Sequence, residues 1–313
     1  MSIQDQAGSS VPATVTATRR NRRVKGRLMT HLVPWLFLAP ALVIFSWFKF
    51  YPMLSGFAMS FYDVQFYDDS KWVGLANFYR AFEDPELRRA IGHTTVYVIV
   101  ATLSASIVAF AMALLLEGPA RHLRIIRTVV FLPAITSVAI IAEIWRIIFN
   151  SAPYGIINTL LSYVGVDPQG FLTDPNQALG VLILMSIWKS APYDMVIFIA
   201  GLATINRELY DAADVDGASP LRKLWHVTLP GIIPSISVVI MLSFIRGFRI
   251  FAEVYSTTGG GPAGSTSTIM THIYKVGFEE LNYGYASAVS FLLLLFTMAL
   301  TLAHMKIKSK IAR

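Results

Sequence analysis

Lys189, Arg246 and Arg249 stand inside long apolar runs, each close to small or hydroxylated neighbours. At helical spacing Ser186, Lys189, Ser190 and Tyr193 share one broad face of one run, while Ser243, Arg246, Gly247 and Ile250 share a face of the next. Hydroxyls, cations and an aromatic ring do the chemistry of reversible hydrogen bonding. A Lys or Arg facing lipid at mid-membrane costs about 2.5–3.5 kcal/mol, so the three together would cost roughly 8–10. They must therefore face an interior or reach an interface. Counting about 1.5 Å per residue puts Lys189 near the middle of its run and Arg246 beyond the middle of the next. Arg249 and Glu253, four residues apart, are spaced to pair near the outer interface. Serine and glycine also mediate helix packing, which is the competing use of these faces.

Other groups that break or make bonds are not arranged to do so. The six histidines, His31, His93, His122, His226, His272 and His304, are scattered at loops and run ends, without metal-ligand spacing or a paired base and nucleophile. They read as interfacial or solvated side chains. With no cysteine there is no disulfide framework, thiolate site or cysteine nucleophile. Gly259-Gly260-Gly261-Pro262 invites a phosphate-loop reading, but no Gly-Lys-Ser/Thr follows and no helix-forming run opens directly after it. It is expected to be a turn, so any ATP chemistry belongs to another chain.

The elements that carry these residues are membrane spans. At 55% hydrophobic and 14% charged residues, with a mean hydropathy of +0.56, 313 residues have too little polar surface for a soluble globule. Six runs reach the roughly 20 residues a span needs: about His31–Phe61, His93–Leu116, Ile125–Phe149, Gln177–Leu202, Pro230–Tyr255 and Tyr283–Lys306. Placing the N-terminus inside puts sixteen Lys and Arg on the cytoplasmic side and five outside, so both termini are predicted cytoplasmic. The net charge of +7 is therefore a topology signal beside anionic lipid and does not call for nucleic acid. The expected organisation is a basic, disordered tail over 1–30, one transmembrane domain over 31–306, and a short basic tail over 307–313. Ala39-Pro40-Ala41 fits the small-residue cleavage rule of a leader, yet the apolar stretch before it is short and hydrophobicity continues to Phe61. The longest outer loop, about Tyr62–Gly92, either receives a partner or is a solvated loop with an interfacial helix anchored by Trp72 and Phe78.

Between the fourth and fifth runs, Asn206 is placed as an N-cap, Glu208 in a first turn and Gly217 at a left-handed stop, predicting a helix over Arg207–Asp216. Leu209, Ala212, Ala213 and Asp216 share one face of it. Two alanines let another backbone approach, Leu209 offers an apolar knob, and Asp211 a charge for a basic partner. Pro220 opens a second amphipathic segment, with Leu221, Leu224, Trp225 and Thr228, that Pro230 is expected to end. An amphipathic hairpin lying on the inner leaflet is the alternative.

Asp211-Ala212-Ala213, three residues, Gly217, nine residues, then Val227-Thr228-Leu229-Pro230 resembles the cytoplasmic loop of permease subunits of ATP-binding-cassette importers. The family pattern is Glu-Ala-Ala, three residues, Gly, nine residues, Ile, any residue, Leu-Pro; here Asp211 replaces the Glu and Val227 the Ile. From about Trp35 to Lys306 the chain resembles carbohydrate-type permeases through an ordered series. It comprises Val73-Gly74-Leu75 with Asn77-Phe78, Phe131-Leu132-Pro133, Trp145, Asn158 with Leu160-Leu161, Ala200-Gly201-Leu202, Thr258 to Pro262, and Gly284 to Ala288. The resemblance implies an all-α type I importer permease with six transmembrane helices in a bacterial or archaeal cytoplasmic membrane. It implies a coupling loop over about 206–230, with Leu209, Asp211, Ala212, Ala213, Asp216, Gly217, Leu229 and Pro230 docking on an ATPase. It also implies a substrate path along Ser186, Lys189, Ser190, Tyr193, Ser243, Arg246, Gly247 and Arg249, where Gly247 would leave room for a sugar ring. Implied partners are a second permease, an ATP-binding dimer using ATP and Mg, and an extracytoplasmic solute-binding protein; this chain itself holds no cofactor. A sugar, oligosaccharide or polyol is the implied substrate, and the basic residues keep an anionic sugar derivative or glycerol phosphate open.

Two other classes compete. An ion-coupled secondary transporter needs buried acids for protons or sodium, and the only candidates, Glu143 and Asp194, are expected near span ends. A membrane enzyme would need the catalytic pairing that the histidines lack.

Overall fold

A computed structural model describes residues 34–64 and 70–311, with side chains through Lys306. The basic N-terminal tail, His31, Asp68 and Asp69 lie outside the described residues. The chain divides into two compact units, Met1–Ala58 and Met59–Arg313. Helix α1, Pro34–Met59, is long and apolar, and large side chains such as Trp35, Phe37, Trp47 and Phe48 are exposed along it, as a lipid-facing surface requires.

In the second unit a two-stranded antiparallel hairpin, β1 Tyr62–Asp63 and β2 Lys71–Trp72, leads into α2, Ala76–Glu83. Buried Asn77 ties that helix to the hairpin by donating to the carbonyls of Ser60 and Tyr62 at 3.0 and 2.9 Å. Phe78 packs its ring on Phe291, so the predicted loop helix is held against the last span. Asp84 then caps α3, Pro85–Leu116, by accepting from the amides of Glu86 and Leu87. The second span therefore starts eight residues earlier than its hydropathy suggests, because the cap and Pro85 set the start where charged side chains still permit a helix.

The centre of the unit is α3 packed along α7, Ala178–Leu202. Ala101, Ala105, Ala109 and Ala113 form a buried small-residue seam on α3 that lets the two backbones approach. Gly201 does the same between α7 and α10, Ile233–Phe248: a methyl group there would sit 2.2 Å from Ser235 Oγ. The last helix, α13, spans Tyr283–Ile311.

Two of the six expected runs are not single rods. The third is α4, Arg121–Ile135, and α5, Val138–Ile148, bent by 95° at extended Thr136 and Ser137, after Pro133 has removed one backbone donor. The fifth is α9, Pro220–Gly231, and α10, bent by 67°. Pro230 does not end the segment before this span, as expected; the turn runs through it to Gly231 and the bend falls at Ile232. Among the described residues four helices are long and apolar enough to cross a membrane, and up to six spans result if each bent pair is one. After α10 the backbone breaks at Arg249–Phe251 and resumes as α11, Ala252–Thr257. The glycine run is a turn, with Gly259 at φ 62° and Gly260 at φ 91°, before α12, Ile269–Tyr274.

Candidate functional site

A cavity of about 440 Å³ lies among α3, α7, α10 and α11. Ser186, Lys189, Ser190 and Tyr193 from α7 line it together with Ser243, Arg246, Gly247 and Arg249 from α10 and its end. All eight residues expected on the two faces, Ile250 included, thus meet with Arg249 around one space, with Tyr97 and Thr102 of α3 closing it.

The charges pair across helices, and here the structure corrects the sequence. Glu253 does not pair with Arg249. Its Oε1 accepts from Lys189 Nζ at 2.7 Å, because the break after Phe248 interrupts the helical spacing that would have aligned them. Asp194 is not at a span end either: it is fully buried on α7 and accepts from Arg246 Nη2 at 2.5 Å and from Ser243 Oγ at 3.1 Å. Arg246 also lies over the Tyr193 ring, 5.2 Å from its centroid, and donates to Ser243 Oγ at 2.7 Å. Arg249 has no ion pair among the described residues. Gly247 leaves no room for a ring, since a methyl group there would stand 2.9 Å from Val98 Cγ2; glycine instead lets α10 approach α3. The missed partners had a signal: Arg246 demanded an acid, and Asp194 is the one acid in Gln177–Leu202.

The hairpin over 206–230 forms as its caps foretell. Helix α8, Arg207–Val215, starts with Asn206 Oδ1 accepting from the Glu208 amide. Gly217 ends it at φ 67°, with Ala218 N–H bonded to the Ala213 carbonyl and Gly217 N–H to that of Asp214. Tyr210 Oη lies 2.9 Å from Thr228 Oγ1, and Lys223 pairs with Asp214, fastening α8 to α9. Those contacts use one face. Leu209, Asp211, Ala212 and Asp216 are left exposed, as is Pro230, while Ala213 and Leu229 are half-buried.

A third polar group joins the starts of α3 and α13. Asp84 Oδ2 accepts from Tyr285 Oη at 2.6 Å, and buried His272 on α12 brings Nε2 to 3.4 Å from the same oxygen without a hydrogen bond. His272 is therefore not solvated, because α12 packs against α3 and α13. Burial lowers its pKa below 6.5, outweighing the pull of Asp84. Burial also pushes the Asp84 carboxyl up, but Tyr285 and the Leu87 and Glu86 amides together hold it below 3.8.

Residues 95–312 match the family of binding-protein-dependent transport system inner membrane components. The chain belongs to this family. It is 30% identical to the arabinooligosaccharides transport system permease AraP of Bacillus subtilis over 276 residues, covering 88% of each chain. It is 32% identical to the sn-glycerol-3-phosphate transport system permease UgpA of Brucella abortus, covering 86% of this chain and 92% of that one. Among solved structures it resembles a chain of a bacterial ABC transporter that imports the acidic polysaccharide alginate. That match has a TM-score of 0.82 at 25% identity and covers 93% of this chain and 100% of the other. The protein is accordingly a multi-pass inner-membrane transport component, its relatives include permeases of sugar transport systems, and its fold is that of the alginate ABC transporter chain.

Proposed function

We propose that the chain is the transmembrane permease subunit of an ATP-driven importer that carries a sugar, oligosaccharide or polyol across the cytoplasmic membrane. The observation that carries this reading is the convergence of the eight polar-face residues on one cavity of about 440 Å³ between helices that α3 and α7 hold together. That volume is within the roughly 300–1,000 Å³ of small-molecule sites, and hydroxyls beside an aromatic ring suit a polyhydroxylated solute. Both termini lie in the cytoplasm in this reading, which the excess of Lys and Arg on that side supports. The exposed face of α8 docks on an ATP-binding dimer, which uses ATP and Mg, and closure of that dimer moves α8 and, through Tyr210–Thr228 and Asp214–Lys223, the bent α9–α10 unit. A second permease completes the path. An extracytoplasmic binding protein delivers the solute, as the alginate transporter solved with its alginate-pentasaccharide-bound periplasmic protein supports.

An anionic sugar derivative or glycerol phosphate is a second reading, favoured by Arg249: the other two cations are matched by Glu253 and Asp194, leaving one positive charge on the lining. The test is to purify the chain with its partners, reconstitute them, and ask whether ATP, a sodium gradient or neither drives uptake. Gly217→Asp tests the coupling loop. A Cβ there meets nothing within 4 Å in this chain, while φ 67° strains any side chain at the helix end, so lost ATP-driven uptake in a variant that still folds with α8 intact supports docking in a partner's cleft; unchanged uptake refutes it.

A further inference from the structure

A second cavity, of about 420 Å³, shares no lining residue with the first. It lies at the end of the unit that the charge count assigns to the outside, among the start of α3, the glycine turn, α11 and α12. Helix α11 is the wall between the two: Glu253 lines the central cavity, and Tyr255, about 200° further round the helix, lines the outer one.

The outer cavity has an aromatic wall. Tyr255 packs edge-on against Tyr274 with centroids 4.8 Å apart, Phe251 stacks on Tyr255 at 5.1 Å, and Phe278 stacks on Tyr274 at 5.2 Å. Each ring is braced by another and the two phenol oxygens lie 3.4 Å apart, yet Tyr255 remains 43% exposed, so an aromatic corner of two rings at 62° lines the space already ordered. The same lining carries Glu86, Arg89, Lys275 and Glu279, whose charges cancel. Lys275 is held by Glu86 at 3.0 Å, which raises its pKa above 10.5. Arg89 has only a long 3.5 Å bond from Nε to the Pro85 carbonyl and no carboxylate partner among the described residues, so its planar donors are available.

A balanced lining attracts neither an anion nor a cation. The exposed face of Tyr255, in a corner with Tyr274 and beside planar donors and acceptors in the same lining, matches a neutral sugar ring, whose C–H face is apolar and whose edge is hydroxylated. We infer that this outer cavity is a carbohydrate subsite that holds a neutral sugar ring on Tyr255 and Tyr274 before the solute passes α11 into the central cavity. The inference rests on the transport reading and adds a second binding place to it.

The assembly purified with its partners but without the binding protein, in nanodiscs, is tested by saturation-transfer NMR against lactose, trehalose, maltotriose and arabinotriose at millimolar concentration. The expected result is transfer to at least one of them, reduced about three- to tenfold by Tyr255→Leu and by Tyr274→Leu, and retained by Tyr255→Phe, which keeps the ring. Arg89→Gln, on the exposed start of α3, repeats the test without touching the aromatic packing. Transfer to none of the four, or equal transfer in wild type and all of these variants, overturns the subsite. So does a Tyr255→Leu assembly that keeps its glycan signal but no longer captures binding protein added to it, which makes the face a protein-docking surface. ATP-driven uptake by the same wild-type preparation separates the two failures: uptake without outer binding overturns the subsite alone, whereas no uptake and no co-purifying ATPase overturns the transport reading.

Discussion

Replacing Asp194 by Asn tests whether the central cavity is held by paired charge. Asp194 is fully buried, and its partner Arg246 is 40% exposed to the cavity. Removing the carboxylate leaves a guanidinium that cannot deprotonate inside a membrane helix. Breaking a buried pair costs about 3–5 kcal/mol, and an unpaired Arg at a span centre about 2.5–3.5. Since Arg246 keeps contact with a wet cavity, the lower end applies, roughly 2–3 kcal/mol, or a fall of about 4–12 °C in Tm. Arg246→Gln is expected to cost less, about 1–2 kcal/mol, because a carboxylic acid can take up a proton and still hydrogen-bond Ser243. In the double variant two neutral amides face each other, and stability should return to within about 1 kcal/mol of wild type. Thermal unfolding in detergent of all four proteins gives the cycle. If the double variant loses the sum of the singles to within about 0.5 kcal/mol, the two side chains do not act as a pair and the reasoning fails.

Gly284→Ala is expected to destabilise the hairpin's attachment to α13 by about 1–3 kcal/mol, since the added methyl would stand 2.1 Å from the Tyr62 carbonyl oxygen; a Tm equal to wild type counts against that close approach. For His272 the folded value is lowered, so the unfolded chain binds the proton more readily below pH 6.5. Its contribution to stability is complete above 6.5 and falls as pH drops from there toward the folded value. Tm measured from pH 8 to 5 should show this decline in wild type and lose it in His272→Gln, while the Asp84 contribution fails only in a separate window below 3.8. A variant that keeps the wild-type slope assigns it to another group.

What could be read from the sequence were periods and caps. Three- and four-residue spacing put the eight residues on two faces, and the helices did bring those faces together, since lipid penalises any other direction for Lys189 and Arg246. Asn206 and Gly217 marked the ends of α8 through local chemistry, which needs no tertiary partner. Pairings between elements were beyond its reach. Glu253 was assigned to Arg249 by helical spacing, and nothing in a linear pattern announces the break that separates them. His272 looked solvated for a related reason, because burial depends on how α12 folds back to Asp84 and Tyr285.

The break at Arg249–Phe251 ties the remaining features together. On a continuous helix Arg249 and Glu253 would face each other one turn apart, and Lys189 would stand without its carboxylate. Turning the chain there carries Glu253 across to Lys189 and leaves Arg249 on the cavity wall without an ion partner among the described residues. Irregular backbone is tolerated at membrane depth only where protein buries it or water reaches it. The break lines the cavity through Arg249 and Ile250, and the Ile250 carbonyl finds a donor in Thr268 Oγ1 at 3.2 Å, so both conditions are met at one place. The same turn that leaves Arg249 on the lining also makes α11 a separate wall, packed on α5 and joined to α7 by the Lys189–Glu253 ion pair and a 3.9 Å contact of Thr257 Oγ1 with Met185 Sδ. Breaking that pair with Lys189→Met should therefore loosen the partition between the two cavities more than it disturbs the α3–α7 core.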